Sequence, residues 1–261
     1  MMNDRMDEWG FNQEVLDRVQ PFLIFLYDHY WRVDAAGLEN IPDNGRALLV
    51  SNHSGQLPFD GMMLGMAILN KHPAKRLMRS LYGTWFRTLP FISSFLTNMG
   101  QALAVEENGI RLLEQEQLVA IFPEGIKGIT KLYKDRYRLV RFGRSGYIRM
   151  ALKTGAPIIP ISVVGAEETY IALAKIPFAE QLLGFPLPHI TPTWPWLGLF
   201  GLVPLPTKWY IDIGAPIQTS DYAASAADNL MLVDQLSNQV RNTIQSMVDR
   251  RLALRKSIFL G

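Results

Sequence analysis

The feature that most constrains this chain is an arrangement that occurs twice. A short apolar run leads straight into a polar loop punctuated by Gly and Pro. Ala47–Val50 leads into Ser51-Asn52-His53-Ser54-Gly55-Gln56-Leu57-Pro58-Phe59-Asp60, and Leu118–Phe122 leads into Pro123-Glu124-Gly125. Runs this short and uniformly apolar predict buried strands, and the Gly and Pro mark shaped turns after them. Ala156–Val164 and Lys208–Ile213 predict two more strands, and Lys75–Arg79 another. Helical spacing is read at Gln13–Trp31, Gly61–Leu69, Asn108–Glu116, Ser145–Lys153 and Ala227–Leu254, with short helices between Trp85 and Phe95. Strands alternating with helices predict an α/β architecture. In open α/β sheets ligands sit outside the carboxyl ends of strands, so the two polar loops are expected to face one cleft.

The chain has 261 residues, enough for one large α/β domain or two small ones, and no Pro/Ser-rich linker, repeat or low-complexity tract divides it. The expected division is an N-terminal amphipathic helical region, 1–34, followed by an α/β domain, 35–261. Hydrophobic residues make up 48% and charged residues 19%, an apolar balance for an enzyme, and the net charge of +2 does not by itself point to nucleic acid. No cysteine is present, which excludes disulfides, thiolate metal sites and a cysteine nucleophile. The acidic start Met1–Trp9 has no apolar core of signal-peptide length, and no apolar run reaches the roughly 18 residues a bilayer span needs. Two apolar patches, Pro21–Tyr27 and Thr193–Pro204, remain to be explained. The helix carrying the first is read either as packed on the core or as lying in a membrane interface.

His53 and Asp60 are the residue types that base chemistry uses. A neutral imidazole takes a proton near neutral pH, and a carboxylate on its other nitrogen fixes the tautomer and stabilises the imidazolium. The structural alternative is a core or capping histidine, with Asp60 capping the helix that follows. Glu124 likewise reads as a cleft carboxylate or as a helix-start residue. Between Lys127 and Lys153 lie nine Lys or Arg and one acid, Asp135. This tract is either a solvated face or a holder for an anionic ligand, and its interleaved aromatics Tyr133, Tyr137, Phe142 and Tyr147 also suit single-stranded nucleic acid. The remaining histidines, His29, His72 and His189, lack metal-ligand spacing, so no metal site is expected.

Taken in order, Asn52-His53 with Asp60, Phe122-Pro123-Glu124-Gly125 and Pro157-Ile158-Ile159-Pro160 resemble the blocks of the glycerolipid acyltransferase (PlsC-like) superfamily, over about Arg46 to Gly165. The resemblance implies a single α/β domain with a mixed central sheet flanked by helices and a membrane-facing apolar surface. It implies His53 as general base, Asp60 as its orienting carboxylate, and Phe122, Pro123, Glu124 and Gly125 at the acceptor. Lys127, Lys131 and Arg144 would hold a phosphate. It further implies an acyl-CoA or acyl-carrier-protein co-substrate, no cofactor, a glycerolipid acceptor, no nucleic acid partner, and a monotopic position on the cytoplasmic face of a membrane. Two departures stand out. The usual pattern has four residues between His and Asp; here there are six, a form similar to the branch related to mono- and diacylglycerol acyltransferases. The second block, Gly100–Glu107, lacks the Arg that usually meets acceptor phosphate, so either Arg144 or a neighbour replaces it or the acceptor has no phosphate. The alternative from another class is a lipid-binding module that kept the cleft and lost the chemistry.

Overall fold

The computed structural model describes residues 6–84, 91–143, 145–176 and 189–261. Its centre is a seven-stranded sheet built from β1 (Asp34–Ala36), β2 (Ala47–Ser51), β3 (Met78–Tyr82), β4 (Ala102–Leu103), β5 (Leu118–Ile121), β6 (Ile158–Val164) and a strand Tyr210–Ile213. A separate two-stranded ribbon pairs β7 (Ala174–Lys175) with β8 (His189–Ile190), which makes Tyr210–Ile213 β9. The large sheet runs β1-β9-β6-β2-β5-β3-β4. Neighbours pair in parallel from β6 through β4, and only β9 runs antiparallel to β6. The sheet is therefore mixed, and the fold is a single α/β domain.

Why the central strands read as unbroken apolar runs is visible in what covers them. On one face Leu48, Val50, Val119 and Ile158 pack with residues of α4 (Glu106–Glu114), α6 (Gly146–Thr154) and the long C-terminal helix α7 (Leu230–Leu254). On the other, Ala47, Leu49, Leu118, Ala120 and Ile159 pack with α1 (Gln13–Phe25) and α2 (Phe59–Lys71). Side chains alternate between faces along each strand, and both faces are covered, so apolar residues dominate both, with Ser51 and Ser162 the buried polar exceptions in β2 and β6. Each such Leu, Ile or Val contributes about 1.5–3 kcal/mol through burial.

Three boundaries differ from those the sequence suggests. Strand β3 begins at Met78, not Lys75, because Lys75 is held at φ 45° and Arg76 turns back to donate to the carbonyls of Pro42, Gly45 and Glu116. The first helix leaves α geometry at Leu26 and closes with a π-helical turn, Leu26–Tyr30. Beyond Pro90, α3 spans Ile92–Asn98, while 85–90 lie outside the described residues. No helix among the described residues is long and apolar enough to cross a membrane.

Adjacent parallel pairing of β2 with β5 and with β6 has the consequence that matters. It brings the chain after Ser51, after Ile121 and after Val164 to one end of the sheet, side by side.

Candidate active site

His53 follows β2 by one residue. Its predecessor, Asn52, is fully buried and exchanges both amide hydrogen bonds with the backbone of Val163 in β6, at 3.0 and 2.8 Å. That pair pins the loop to the sheet before it turns. The chain then passes through Gly55 at φ 84° and enters α2 at Phe59. Asp60, Met63, Leu64, Ala67 and Ile68 form the inner stripe of that helix. The stripe points Asp60 back towards the loop, where Asp60 is 0% exposed.

The longer His–Asp spacing therefore closes. His53 Nδ1 lies 2.7 Å from Asp60 Oδ2, which also accepts the Ser54 N–H at 2.9 Å; Asp60 Oδ1 accepts the N–H of Gly61. Two peptide N–H groups hold the Asp60 carboxyl in place against Nδ1, which leaves Nε2 as the ring nitrogen available to a substrate proton. The Phe122 ring packs on the imidazole with centroids 4.8 Å apart.

Glu124 arrives from β5 through Pro123, and Gly125 turns the chain at φ 54° into the short α5 (Ile126–Ile129). Its carboxylate does not open onto the cleft. Oε1 accepts the backbone N–H of His53 at 3.0 Å, and Oε2 accepts that of Val140 at 2.9 Å. Lys131 Nζ stands 3.4 Å from Glu124 and 2.9 Å from Glu167 Oε1. Gly128 lets this assembly close up: a Cβ there would fall 2.8 Å from Glu124 Cβ and 2.9 Å from His53 Cβ. Burial pushes the Glu167 carboxyl up to about 7, against the opposing pull of Lys131. For Lys131, burial alone would lower the pKa, but Glu167 and Glu124 outweigh it and hold the ammonium above its ordinary value.

A cleft of about 410 Å³ opens over this pair. Its wall includes His53, Asp60, Phe122, Pro123 and Gly125, so these expected site residues are brought together. Ser80 and Tyr82 of β3, Gln101 and Ala104 flanking β4, and Tyr147 of α6 complete it. Ser80 and Tyr82 were not legible as site residues; Gln101 and Ala104 belong to the second block, and it is the pairing of the two-residue β4 with β3 that carries them to the cleft. The stretch Gly100–Val105, where the resemblance places an Arg, thus meets the cleft through Gln101 and Ala104.

The basic tract divides. Lys131 is turned inward to Glu124 and Glu167 with 6% side-chain exposure, so it does not line the cleft as expected. Arg149 and Lys153 both pair with Glu106. Arg136 lies over the Tyr133 ring, 4.1 Å from its centroid. Lys127 and Arg141 are exposed and line a second hollow of about 290 Å³ with Ser145 and Arg241. Gly143 belongs to both hollows, which places the second at the rim of the first. Arg144 lies outside the described residues.

Elsewhere at this end of the molecule, Trp196, Leu199 and Phe200 are 74%, 81% and 82% exposed. They sit on a turn held by bonds from Thr193 Oγ1 to the Gly201 carbonyl and from Tyr170 OH to the Leu202 carbonyl. Tyr30, which ends the first helix, donates to the carbonyl of Pro204 at 2.5 Å, joining this turn to the segment that exposes Phe22 and Phe25.

The sequence profile of a family described as Acyltransferase matches residues 32–164. An uncharacterized protein of Mycobacterium tuberculosis is 46% identical over 257 residues, covering 98% of this chain and 72% of that protein. A human protein named DGAT1/2-independent enzyme synthesizing storage lipids is 23% identical over 245 residues, covering 92% and 69%. Among solved structures, the 1-acyl-sn-glycerophosphate (LPA) acyltransferase PlsC of Thermotoga maritima shares the fold, with a TM-score of 0.58 at 17% identity over 94% of this chain and 80% of that one.

Proposed function

The chain belongs to the acyltransferase family, and on that premise we propose that it moves a fatty acyl group from a thioester to a hydroxyl of a glycerolipid, with His53 as general base. The observation that carries this reading is the 2.7 Å contact between His53 Nδ1 and a buried Asp60 on the wall of the cleft. Nε2 takes the proton of the acceptor hydroxyl as its oxygen attacks the thioester carbonyl. Asp60 stabilises the imidazolium that forms. The tetrahedral adduct collapses by breaking the C–S bond, and the imidazolium returns the proton to the leaving thiolate. No covalent enzyme intermediate is required, in keeping with a chain that has no cysteine.

The donor is acyl-CoA or acyl-carrier protein. Both carry a phosphate beyond the thioester arm, and the hollow of Lys127 and Arg141 at the cleft rim suits that phosphate. Phe122, Pro123 and Gly125 meet the acceptor. The wall given by Gln101, Ala104 and Tyr82 suits an acceptor without phosphate, such as a mono- or diacylglycerol. The exposed faces of Phe22, Phe25, Trp196, Leu199 and Phe200 would seat the protein on a bilayer as a monotopic protein of the cytoplasmic face, with residues 1–34 as the amphipathic part of that contact.

The test is direct. Purified protein is given labelled palmitoyl-CoA or palmitoyl-carrier protein with monooleoylglycerol, dioleoylglycerol or oleoyl-lysophosphatidate, and the lipid products are identified. An acylated glycerolipid is the expected result. Lipid binding without turnover on every pair would favour instead a binding module that retains only the cleft.

A further inference from the structure

We propose that Lys131 is a positioning residue for the His53 base, acting through the carboxylate of Glu124. The proposal rests on the reading of His53 as the base.

Three ionisable side chains lie buried behind the His53 loop, with side-chain exposures of 0% for Glu124, 6% for Lys131 and 5% for Glu167. None of the three lines the cleft, so none meets substrate there. Yet one is bonded to the base itself: Glu124 Oε1 is the acceptor for the His53 peptide N–H. The second oxygen holds Val140, and Lys131 sits against it. Glu167 completes the arrangement from the end of β6, bonded to Lys131 on one oxygen and to the Tyr137 N–H on the other. Neighbouring Glu168 is balanced separately, by Arg255 at 2.9 Å.

The physics follows from the count of charges. Two carboxylates buried together cannot both stay ionised without a cation between them. Lys131 stands between the two and ties Glu124 Oε2 in place, so that both Glu124 oxygens stay aimed at their peptide donors. Remove the ammonium and nothing separates the two carboxyl groups; Glu124 swings away, and the His53 peptide loses its partner. The imidazole then shifts relative to the reacting atoms, and a displacement near 1 Å costs about a hundredfold in rate. Because Lys131 touches no cleft surface, the change falls on kcat and leaves substrate binding alone.

The experiment uses the full chain, palmitoyl-CoA and whichever acceptor of the panel above is acylated. Lys131→Met is compared with the parent, and again in a Glu124→Gln background, whose amide oxygen can still accept from the His53 N–H. Lys131→Met is expected to lower kcat about ten- to a hundredfold with both KM values within about twofold. In the Glu124→Gln background the same change is expected to cost less than about threefold, since the route to His53 is already altered. Should the methionine variant not fold, as judged by its Tm, Lys131→Gln gives the same comparison. An unchanged kcat, a loss confined to KM, or an equal loss in both backgrounds overturns the proposal. His53→Ala measured in parallel separates the two readings: an active His53→Ala removes the base assignment, whereas an inactive His53→Ala beside a fully active Lys131→Met removes only the positioning role.

Discussion

His53 and Asp60 are seven positions apart in the chain and 2.7 Å apart in space. The first turn of α2 accomplishes this by placing the carboxylate on the same inner stripe as Met63, Leu64 and Ala67, so the contact is fixed by core packing as much as by the loop. Asp60→Asn therefore keeps the shape and loses the charge. Its kcat is expected to fall about a hundred- to ten-thousandfold, with the Tm lowered by a few degrees through the weakened bond to Ser54. Steady-state kinetics and thermal melts on the same sample check this.

Gly128 is the tightest contact under the base. A methyl group there would lie 2.9 Å from the His53 carbonyl oxygen, a backbone atom that cannot step aside. Gly128→Ala is expected to destabilise by about 1–3 kcal/mol and to lower kcat at least tenfold. Chemical denaturation and the transfer assay measure the two effects.

How much of this was legible beforehand depended on whether the cause was local. Strands β2, β5 and β6 could be read because both their faces are buried and nearly every position is apolar. Strands β1 and β4, three and two residues long, carry no such pattern and exist through pairing with β9 and β3. The basic tract misled for the same reason. Lys131 is shared between Glu124, seven positions away, and Glu167, 36 away, and Arg149 is bound by Glu106, 43 away; nothing in the local sequence announces the two distant partners. Glu124 was expected at the acceptor, but it does not line the cleft: its oxygens face the peptides of His53 and Val140.

Glu167 gives a prediction about pH. Burial raises its carboxyl from the ordinary 4.5 to about 7, so folding favours the protonated form. Its stabilising contribution is fully present below about pH 4.5 and is lost as pH rises through about 7. Glu167→Gln lacks the titration. The unfolding free-energy difference from chemical denaturation, variant minus parent, is expected to rise between about pH 5 and 7.5 and then level off, by an amount on the order of 3 kcal/mol at most. A flat difference across that range would show that Glu167 stays ionised throughout.

The exposed turn of Trp196, Leu199 and Phe200 and the exposed Phe22 and Phe25 predict a bilayer contact. Phe200→Asp combined with Phe22→Asp is expected to weaken co-sedimentation with phosphatidylglycerol vesicles by at least about tenfold, because each change removes about 1.5–3 kcal/mol of apolar burial. Turnover of a donor and acceptor presented below their micellar concentrations should change less than twofold. Equal binding of variant and parent to vesicles would place the membrane contact elsewhere.

The central claim is that Nε2 of His53 removes the acceptor's proton. Single-turnover transfer from palmitoyl-CoA by His53→Ala, in a sample whose melting matches the parent, tests it most directly. A rate at least about a hundredfold below the parent is predicted. Transfer at the parental rate in that folded variant would contradict the account.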